Sequence, residues 1–459
     1  MPRLDRKTSL KCVALIPILA FLCVPERSRA EDWPQWNGPR RDGTLDASRL
    51  SATIPSSGLK RLWSQPVSLG YAGPVVADGK VFVLDYLKES GSITNNAGKR
   101  DVLTGMERAS CFDAATGEKL WQYQYQRPYA VSYGGGPRAT PIVKDSVLYL
   151  LGSEGDLVAL ETSSGTKLWQ RQFNEEFGAK TPLWGHSASP LVFEETLVCM
   201  VGGEGSLVVA FDLKTGEERW RALSSEETGY CPPTLFKHAG VEQLLVWSPT
   251  EISSLNPRTG ETYWQEPLQP DYGMSILPPI MDGNLLYTSG EGSKSIMLRL
   301  SESSTNAEVV WTGEPKRGLF LATSNGIFHQ GHLYGADIRS GALICARGND
   351  GQRLWQTALP TTGSKRGRGG AHASAFMVRL IGEGHPGNEY FILSETGAMI
   401  AAVLTPEGYE ETGRFQAIEP MLKTMGRTVL WTYPAIADGR LYLRNDAELL
   451  CYELAKTQN

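Results

Sequence analysis

The sequence predicts an all-β protein, an eight-bladed β-propeller built from four-stranded blades. Three observations predict it: a repeated pattern that ends in tryptophan, a hairpin before each copy, and two incomplete units that complement each other. The 459 residues include 49 Gly, 27 Pro and 12 Trp, a composition that favours strands and tight turns. A closed propeller is one domain, which the length alone does not suggest.

The tryptophan pattern is clearest at residues 210–220. A small residue ends an alternating apolar segment, Asp or Asn follows, and Thr-Gly places glycine four residues before the tryptophan. These residues predict a tight turn in which glycine takes a positive φ. We expect the small residue to leave room for an aromatic side chain from a neighbouring blade. The aromatic positions are Trp63, Trp121, Trp169, Trp220, Trp264, Trp311, Trp355 and a degenerate Phe415.

The second observation is a hairpin in each unit, which begins with a Pro-containing apolar strand. Asp-Gly turns such as Asp78-Gly79, Asp282-Gly283 and Asp438-Gly439 then lead to a second apolar strand. Asp-Gly between apolar runs is a strong hairpin signal. Each unit therefore has four strands, two from this hairpin and two around the Thr-Gly turn.

The third observation concerns the ends of the repeat region. The unit that begins at Tyr433 lacks its tryptophan strand, whereas Trp63 lies in a strand with no hairpin before it. We predict that this N-terminal strand closes the last blade. Residues 60–454 then divide into eight units of about 49 residues, a length typical of propeller blades.

Residues 1–30 are predicted to be a secretory signal peptide. Four basic residues up to Lys11 precede an apolar run at 12–24, and Ser28-Arg29-Ala30 offers a cleavage site. The run is shorter than the ~20 residues of a spanning helix. Bulky Leu22 before Cys23 argues against a lipoprotein anchor. We expect a periplasmic or secreted protein without a transmembrane segment.

Two segments flank the predicted propeller. Residues 31–59 are rich in Trp, Pro and Gly and are expected to pack on the propeller, with ligand contact as the alternative role. Residues 455–459 form a short C-terminal tail. The net charge of −5 argues against non-specific nucleic-acid binding.

The cysteines indicate neither a disulfide framework nor a metal site. Beyond the predicted signal peptide they are widely spaced, with no C-x-x-C and no adjacent pair, so no zinc or c-type haem motif is present. Several occupy the small-residue position of the repeat, which predicts buried packing thiols. The cysteines at that position are Cys111, Cys345 and Cys451, and the other two are Cys199 and Cys231.

The eleven-residue pattern resembles the tryptophan-docking motif of quinoprotein alcohol dehydrogenases, and it is similar to the repeats of the outer-membrane assembly lipoprotein BamB. This resemblance covers about residues 60–454 and identifies a PQQ-like β-propeller. Residues 32–43 (DWPQWNGPRRDG) also resemble the opening of secreted bacterial proteins with PQQ-binding-like repeats. The motif reports how blades pack and does not identify a ligand.

The loops that enter the innermost strands are expected to line the mouth of the central channel. Their Arg side chains suit carboxylates, their Trp and Tyr rings suit planar or sugar rings, and their His side chains suit acid–base chemistry. The alternative is that these residues serve turns and packing. The candidates are Tyr71, Arg138, Trp184, His186, Tyr230, Tyr272, Arg366, Arg368, His372, Arg427 and Trp431.

Three functions stay open, and the favoured one is a non-catalytic binding or scaffold protein of the cell envelope. The resemblance to quinoprotein dehydrogenases implies PQQ, Ca²⁺ and an Asp base, but the vicinal disulfide of many such enzymes is absent, and the loops hold few carboxylates (Glu226, Glu227 and Asp271). The third function is polysaccharide recognition. Expected partners are an envelope protein, a peptide or a glycan, and the protein is expected to be a monomer.

Overall fold

The computed structural model describes Met1 and residues 31–365 and 370–454. The predicted signal peptide, the C-terminal tail, Arg366 and Arg368 lie outside the described residues. The prediction of eight four-stranded blades in a ring is confirmed. The innermost strand of each blade follows the loop that leaves the preceding blade, and its outermost strand carries the repeat aromatic.

The blades are numbered along the chain, with strands given from the axis outward. Their bounds are Val75–Ala77, Lys80–Ser90, Asp101–Asp113 and Lys119–Gln126 in blade 1; Ile142–Lys144, Val147–Leu151, Asp156–Glu161 and Lys167–Gln172 in blade 2; Leu191–Phe193, Thr196–Met200, Val208–Asp212 and Glu218–Ala222 in blade 3; and Thr234–His238, Val241–Trp247, Glu251–Leu255 and Thr262–Pro267 in blade 4.

The second half of the ring repeats the arrangement. The strands are Ile280–Asp282, Leu285–Gly290, Lys294–Leu300 and Ala307–Thr312 in blade 5; Gly326–His329, His332–Asp337, Ala342–Arg347 and Arg353–Thr357 in blade 6; Ala375–Ile381, Glu389–Ser394, Ala398–Thr405 and Gly408–Gln416 in blade 7; and Ala435–Ala437, Arg440–Arg444, Glu448–Glu453 and the N-terminal strand Lys60–Pro66 in blade 8.

The closing strand behaves as predicted. Lys60–Pro66 pairs antiparallel with Glu448–Glu453, and Trp63 lies opposite Cys451. The same pairing of a small residue with the tryptophan occurs within blade 3, where Ala210 faces Trp220 across the two outer strands. The ring is therefore closed by hydrogen bonds between segments far apart in the sequence.

The tryptophans contact neighbouring blades, as predicted. The contact is with the turn glycine of the next blade, however, and not with its small residue. The Trp169 ring of blade 2 lies on Gly216 of blade 3, where an added Cβ would come within 2.7 Å of it, and Trp169 Nε1 donates to the Leu213 carbonyl at 3.0 Å. Ala210, the small residue of blade 3, instead faces its own Trp220. Two constraints require glycine at position 216: its φ is +69°, and the neighbouring indole leaves no room for a Cβ.

Few elements lie outside the blades. Thr44–Asp46 pairs in parallel with the innermost strand of blade 7, Tyr129–Val131 pairs with the extended third strand of blade 1, and Leu422–Thr424 with Arg427–Val429 forms a hairpin before blade 8. One helical turn spans Phe173–Phe177 and a 3-10 turn spans Asp271–Gly273. Within the described residues, no helix is long and apolar enough to span a membrane.

Residues 31–47 fill the central channel, and we call them the axial plug. Trp33 forms a β-bridge with Val76 of blade 1, and the Pro34 carbonyl accepts from Val143 N of blade 2. The plug then returns along blade 7, where the Gly43 carbonyl accepts from Arg379 N. Its turn contacts blades 3, 4 and 6 through Arg41 and Asn37.

Arg41 anchors the turn of the axial plug. Its guanidinium donates to the carbonyls of Pro190 (2.8 Å) and Ser189 (3.3 Å) of blade 3, and to that of Pro233 (3.4 Å) at blade 4. The guanidinium also lies 5.7 Å from the Trp36 ring centroid. Burial lowers the pKa of Arg41 to about 10.

The five described cysteines are all buried and free.

Candidate functional site

A cavity of about 740 Å³ opens at the mouth of the central channel, and we call it the mouth cavity. All eight blades contribute to its wall through the loops that enter their innermost strands, and the Trp36 side chain of the axial plug reaches it from below. Its volume lies in the range of small-molecule binding sites. The aromatic lining residues are Trp36, Tyr71, Tyr133, Trp184, Tyr230, Tyr272, Trp431 and Tyr433.

The aromatic rings hold one another in fixed orientations. Trp184 and Tyr230 lie with centroids 5.2 Å apart, Tyr133 and Trp431 are edge-to-face at 5.7 Å, and Trp36 and Tyr433 are edge-to-face at 5.6 Å. These arrangements are the favourable ones for aromatic pairs. The rings therefore form a preorganised surface rather than independently moving side chains.

Arg138 is part of the wall, but its charge is committed to the protein. It donates to the carbonyls of Ser132 (2.6 Å), Tyr133 and Gly136 (3.3 Å). Its guanidinium lies 4.9 Å from the Tyr71 ring centroid. Burial lowers the pKa of Arg138 and raises that of Tyr71 well above its ordinary value. Arg138 thus orders the loop that carries Tyr133.

His372 and Glu291 form the polar side of the mouth cavity. His372 Nε2 lies 3.7 Å from Glu291 Oε2, too far for a hydrogen bond, and Glu291 Oε2 has no hydrogen-bond partner among the described residues. Burial lowers the pKa of His372. The side chains of Thr323 and Ser324 from blade 6 lie beside this pair in the lining.

Two predicted site residues lie outside the cavity lining. His186 is buried behind the wall, edge-on to Phe173 at 5.5 Å, and neither of its ring nitrogens has a hydrogen-bond partner among the described residues. Arg427 pairs with the buried Glu395 at 2.7 Å and donates to the Ala371 carbonyl at 2.9 Å. Arg427 therefore holds the loop that presents His372.

The structure thus brings together Tyr71, Arg138, Trp184, Tyr230, Tyr272, His372 and Trp431. Sequence reasoning did not name Glu291 or Met425, and it treated contact by Trp36 only as an alternative. Glu291 lies in the turn between the second and third strands of blade 5, which is on the same face as the entering loops. A sequence analysis that included the turns between second and third strands would have identified Glu291.

Comparisons with known proteins agree with this architecture. A model of the family described as outer membrane protein assembly factor BamB matches residues 46–242 and, overlapping them, 105–357. The crystal structure of quinohemoprotein alcohol dehydrogenase from Comamonas testosteroni has a TM-score of 0.58 at 14% identity, covering 94% of this chain and 82% of that one. At that identity the likeness shows the fold alone.

Two curated relatives carry different functions in their names. Quinoprotein alcohol dehydrogenase PedH of Pseudomonas putida is 26% identical over 258 residues, which are 50% of this chain and 40% of that protein. Outer membrane protein assembly factor BamB of Yersinia pestis is 23% identical over 286 residues, 60% of this chain and 65% of that protein. The chain spans less than two thirds of the length of either relative.

Fold and site define an eight-bladed propeller with a ligand-sized cavity at its axis. The chain belongs to the PQQ-like β-propeller family, on the match that extends over more than half of it. The family includes proteins named as assembly factors and proteins named as dehydrogenases.

The described lining does not fit PQQ with calcium. PQQ carries three carboxylates, whereas the Arg138 guanidinium is already bonded to backbone carbonyls and the Glu227 and Glu291 carboxylates also line the cavity. Calcium needs several oxygen ligands, and the described residues contain no group of three or more His, Cys, Asp or Glu side chains that could hold a metal ion. We therefore derive no step through this cofactor.

Proposed function

We propose that this chain is a non-catalytic binding protein of the cell envelope that holds its ligand in the mouth cavity. One observation carries the proposal: a cavity of about 740 Å³ to which all eight blades and the axial plug contribute. Pockets of this size with an aromatic lining and a few placed polar groups are typical of small-molecule sites.

The state of the polar side chains supports binding rather than catalysis. The Arg138 guanidinium is held by three carbonyls, and Arg427 and Glu395 neutralise each other behind the wall. Tyr71 Oη and Trp431 Nε1 of the lining have no hydrogen-bond partner among the described residues, and the His372 and Glu291 side chains lie close to each other without a hydrogen bond. Such a pair can orient a ligand through hydrogen bonds.

The relatives indicate one specific form of this function and one alternative to it. Similarity to an outer membrane protein assembly factor favours a peptide or protein partner, and similarity to PedH favours a quinone-dependent dehydrogenase. Both can be tested in the same assay as the proposed function.

The test is a thermal-shift and calorimetric titration of the purified protein with neutral oligosaccharides, extended peptides, and PQQ with and without Ca²⁺. We expect at least one of the first two classes to raise the melting temperature. The variant Ser187→Trp fills the mouth cavity and should abolish the shift, whereas Ser303→Trp, on an exposed turn of blade 5, should retain it.

Two results would contradict the proposal. Calcium-dependent PQQ binding together with dye reduction by an alcohol would make the protein a dehydrogenase. Equal shifts in wild type and Ser187→Trp, or no shift with any probe, would show that the mouth cavity is not the binding site.

A further inference from the structure

The mouth cavity is divided into an aromatic side and a polar side. Blades 8, 1, 2, 3 and 4 supply most of the aromatic rings, together with the charged side chains of Arg138 and Glu227, whereas blades 5, 6 and 7 supply the Glu291 carboxylate, the Thr323 and Ser324 hydroxyls and the His372 imidazole. We use Trp431, Trp184 and Tyr230 to represent the aromatic side, and Glu291 and His372 to represent the polar side. A ligand that contacts both sides needs an apolar face and a polar edge.

The polar side suits a hydroxyl group. A hydroxyl can donate one hydrogen bond while accepting another. At 3.7 Å, His372 Nε2 and Glu291 Oε2 do not bond each other, so a ligand hydroxyl beside them can donate to the carboxylate and accept from the ring. The loop of His372 is already fixed, since His372 N donates to the Ile338 carbonyl at 2.7 Å and Arg427 holds Ala371.

The charges of the described lining disfavour ionic ligands. An anion would find Arg138 already bonded to carbonyls, and it would lie near the Glu291 carboxylate. A cation on the aromatic side would meet opposing charges, the Arg138 guanidinium that stacks on Tyr71 and the Glu227 carboxylate, and it would still lose its hydration. A neutral ligand avoids both penalties.

The rim offers a place for a second unit of the ligand. Tyr272 is 81% exposed, and its backbone has a φ of +59°, which is unusual for a bulky residue. It occupies the 3-10 turn Asp271–Gly273 and presents its ring at the edge of the mouth cavity. An exposed ring held in this way provides a flat platform beyond the inner aromatic surface.

From this geometry we propose that the mouth cavity binds a neutral sugar chain, with one ring against the inner aromatic surface, a hydroxyl between Glu291 and His372, and the next unit against Tyr272. The C–H face of a sugar ring is apolar and slightly positive, which complements the negative face of an aromatic ring. This inference rests on the proposed function and names the class of ligand.

The test is isothermal titration of the full chain with matched five-unit oligosaccharides. Cellopentaose, xylopentaose, maltopentaose, mannopentaose and chitopentaose are the neutral probes, the chitosan pentamer is the cationic counterpart of chitopentaose, and pentagalacturonate is the anionic probe. We expect at least one neutral probe to bind with a submillimolar Kd. The charged probes should bind at least about tenfold more weakly.

Variants connect that binding to the proposed contacts. Glu291→Gln should weaken the binding of the neutral probe by about tenfold, the loss of one charge-assisted hydrogen bond. Glu308→Gln, on the exposed outer strand of blade 5, is the matched control and should leave Kd unchanged. Tyr272→Ala should weaken the pentamer more than the corresponding disaccharide. Melting temperatures of all variants establish that they fold.

The outcomes separate this inference from the proposed function. If peptides bind in a manner that Ser187→Trp abolishes, while no neutral oligosaccharide binds, the sugar proposal is wrong and the binding function stands. Stronger binding of the cationic or anionic pentamer would also overturn it. If no probe binds the wild-type protein, both proposals fail.

Discussion

The tryptophan residues show how a single side chain joins two blades. Trp220 Nε1 of blade 3 donates to the Pro257 carbonyl of blade 4 at 3.1 Å, and its ring covers Gly260 of the same turn. We predict that Trp220→Ala lowers the free energy of unfolding by ~3–5 kcal/mol, because a buried indole and its hydrogen bond are both lost. Urea unfolding followed by circular dichroism measures this change. Leu168→Ala, on an exposed outer strand, should cost less than about 0.5 kcal/mol.

His186 makes stability depend on pH. Burial lowers its pKa from 6.5 to about 4, so the folded protein resists a proton that the unfolded chain accepts. The contribution of neutral His186 to the free energy of unfolding is fully present above about pH 6.5. It is lost as the pH falls towards 4, by about 3 kcal/mol in total. We expect His186→Gln to remove this part of the pH dependence. Denaturant unfolding of both proteins at pH 7 and pH 4.5 tests it, and parallel pH profiles would contradict it.

At the scale of elements, the closing strand determines whether the ring is continuous. Replacing residues 60–67 with a Gly-Ser linker of equal length removes the pairing with Glu448–Glu453 while keeping the axial plug attached. We expect the melting temperature to fall by roughly 10 °C or more, because blade 8 then exposes an unpaired edge. A decrease of only a few degrees in differential scanning calorimetry would show that closure contributes little.

The axial plug depends on Arg41 in a way that lysine cannot replace. The planar guanidinium bonds carbonyls from blades 3 and 4 at once, whereas an ammonium group is a compact point charge. We predict that Arg41→Lys and Arg41→Met each lower the free energy of unfolding by about 1–3 kcal/mol. Both should also speed proteolytic cleavage within residues 31–47. Wild-type cleavage rates in both variants would mean that the plug is held by its other contacts.

The elements differ in how far the sequence predicts them. The blades are predictable because Asp-Gly and Thr-Gly turns and strand alternation are local and repeat at regular intervals. The path of residues 31–47 is not, since it is set by single contacts such as that of Asn37 with Asn325, which have no period. For the same reason the loop positions of Tyr71 and Trp184 could be predicted, whereas the buried position of His186 could not.

At the scale of the whole molecule, two insertions make the ring asymmetric. The second and third strands of blade 1 are longer than their counterparts, and the loop joining them reaches the 422–429 hairpin, where Asn95 Nδ2 donates to the Lys423 carbonyl at 3.1 Å. Tyr133 Oη and Thr424 Oγ1 are 2.9 Å apart at the same place. Ala97, Gly98 and Met425 of these insertions therefore join the lining of the mouth cavity on the side of blades 8 and 1, across the ring from Tyr272 of blade 5.

The axial plug has a consequence for the order in which the protein is made. Residues 31–47 leave the ribosome early, yet the partners that hold them are spread over the later chain, as far as Tyr433, which packs on Trp36. The packing of Trp36 beneath the cavity is complete only once blade 8 supplies Tyr433, and such distant pairings slow folding. Ligand binding would then report that the ring has closed, because a chain that lacks blade 8 also lacks Trp431 and Tyr433 of the cavity wall.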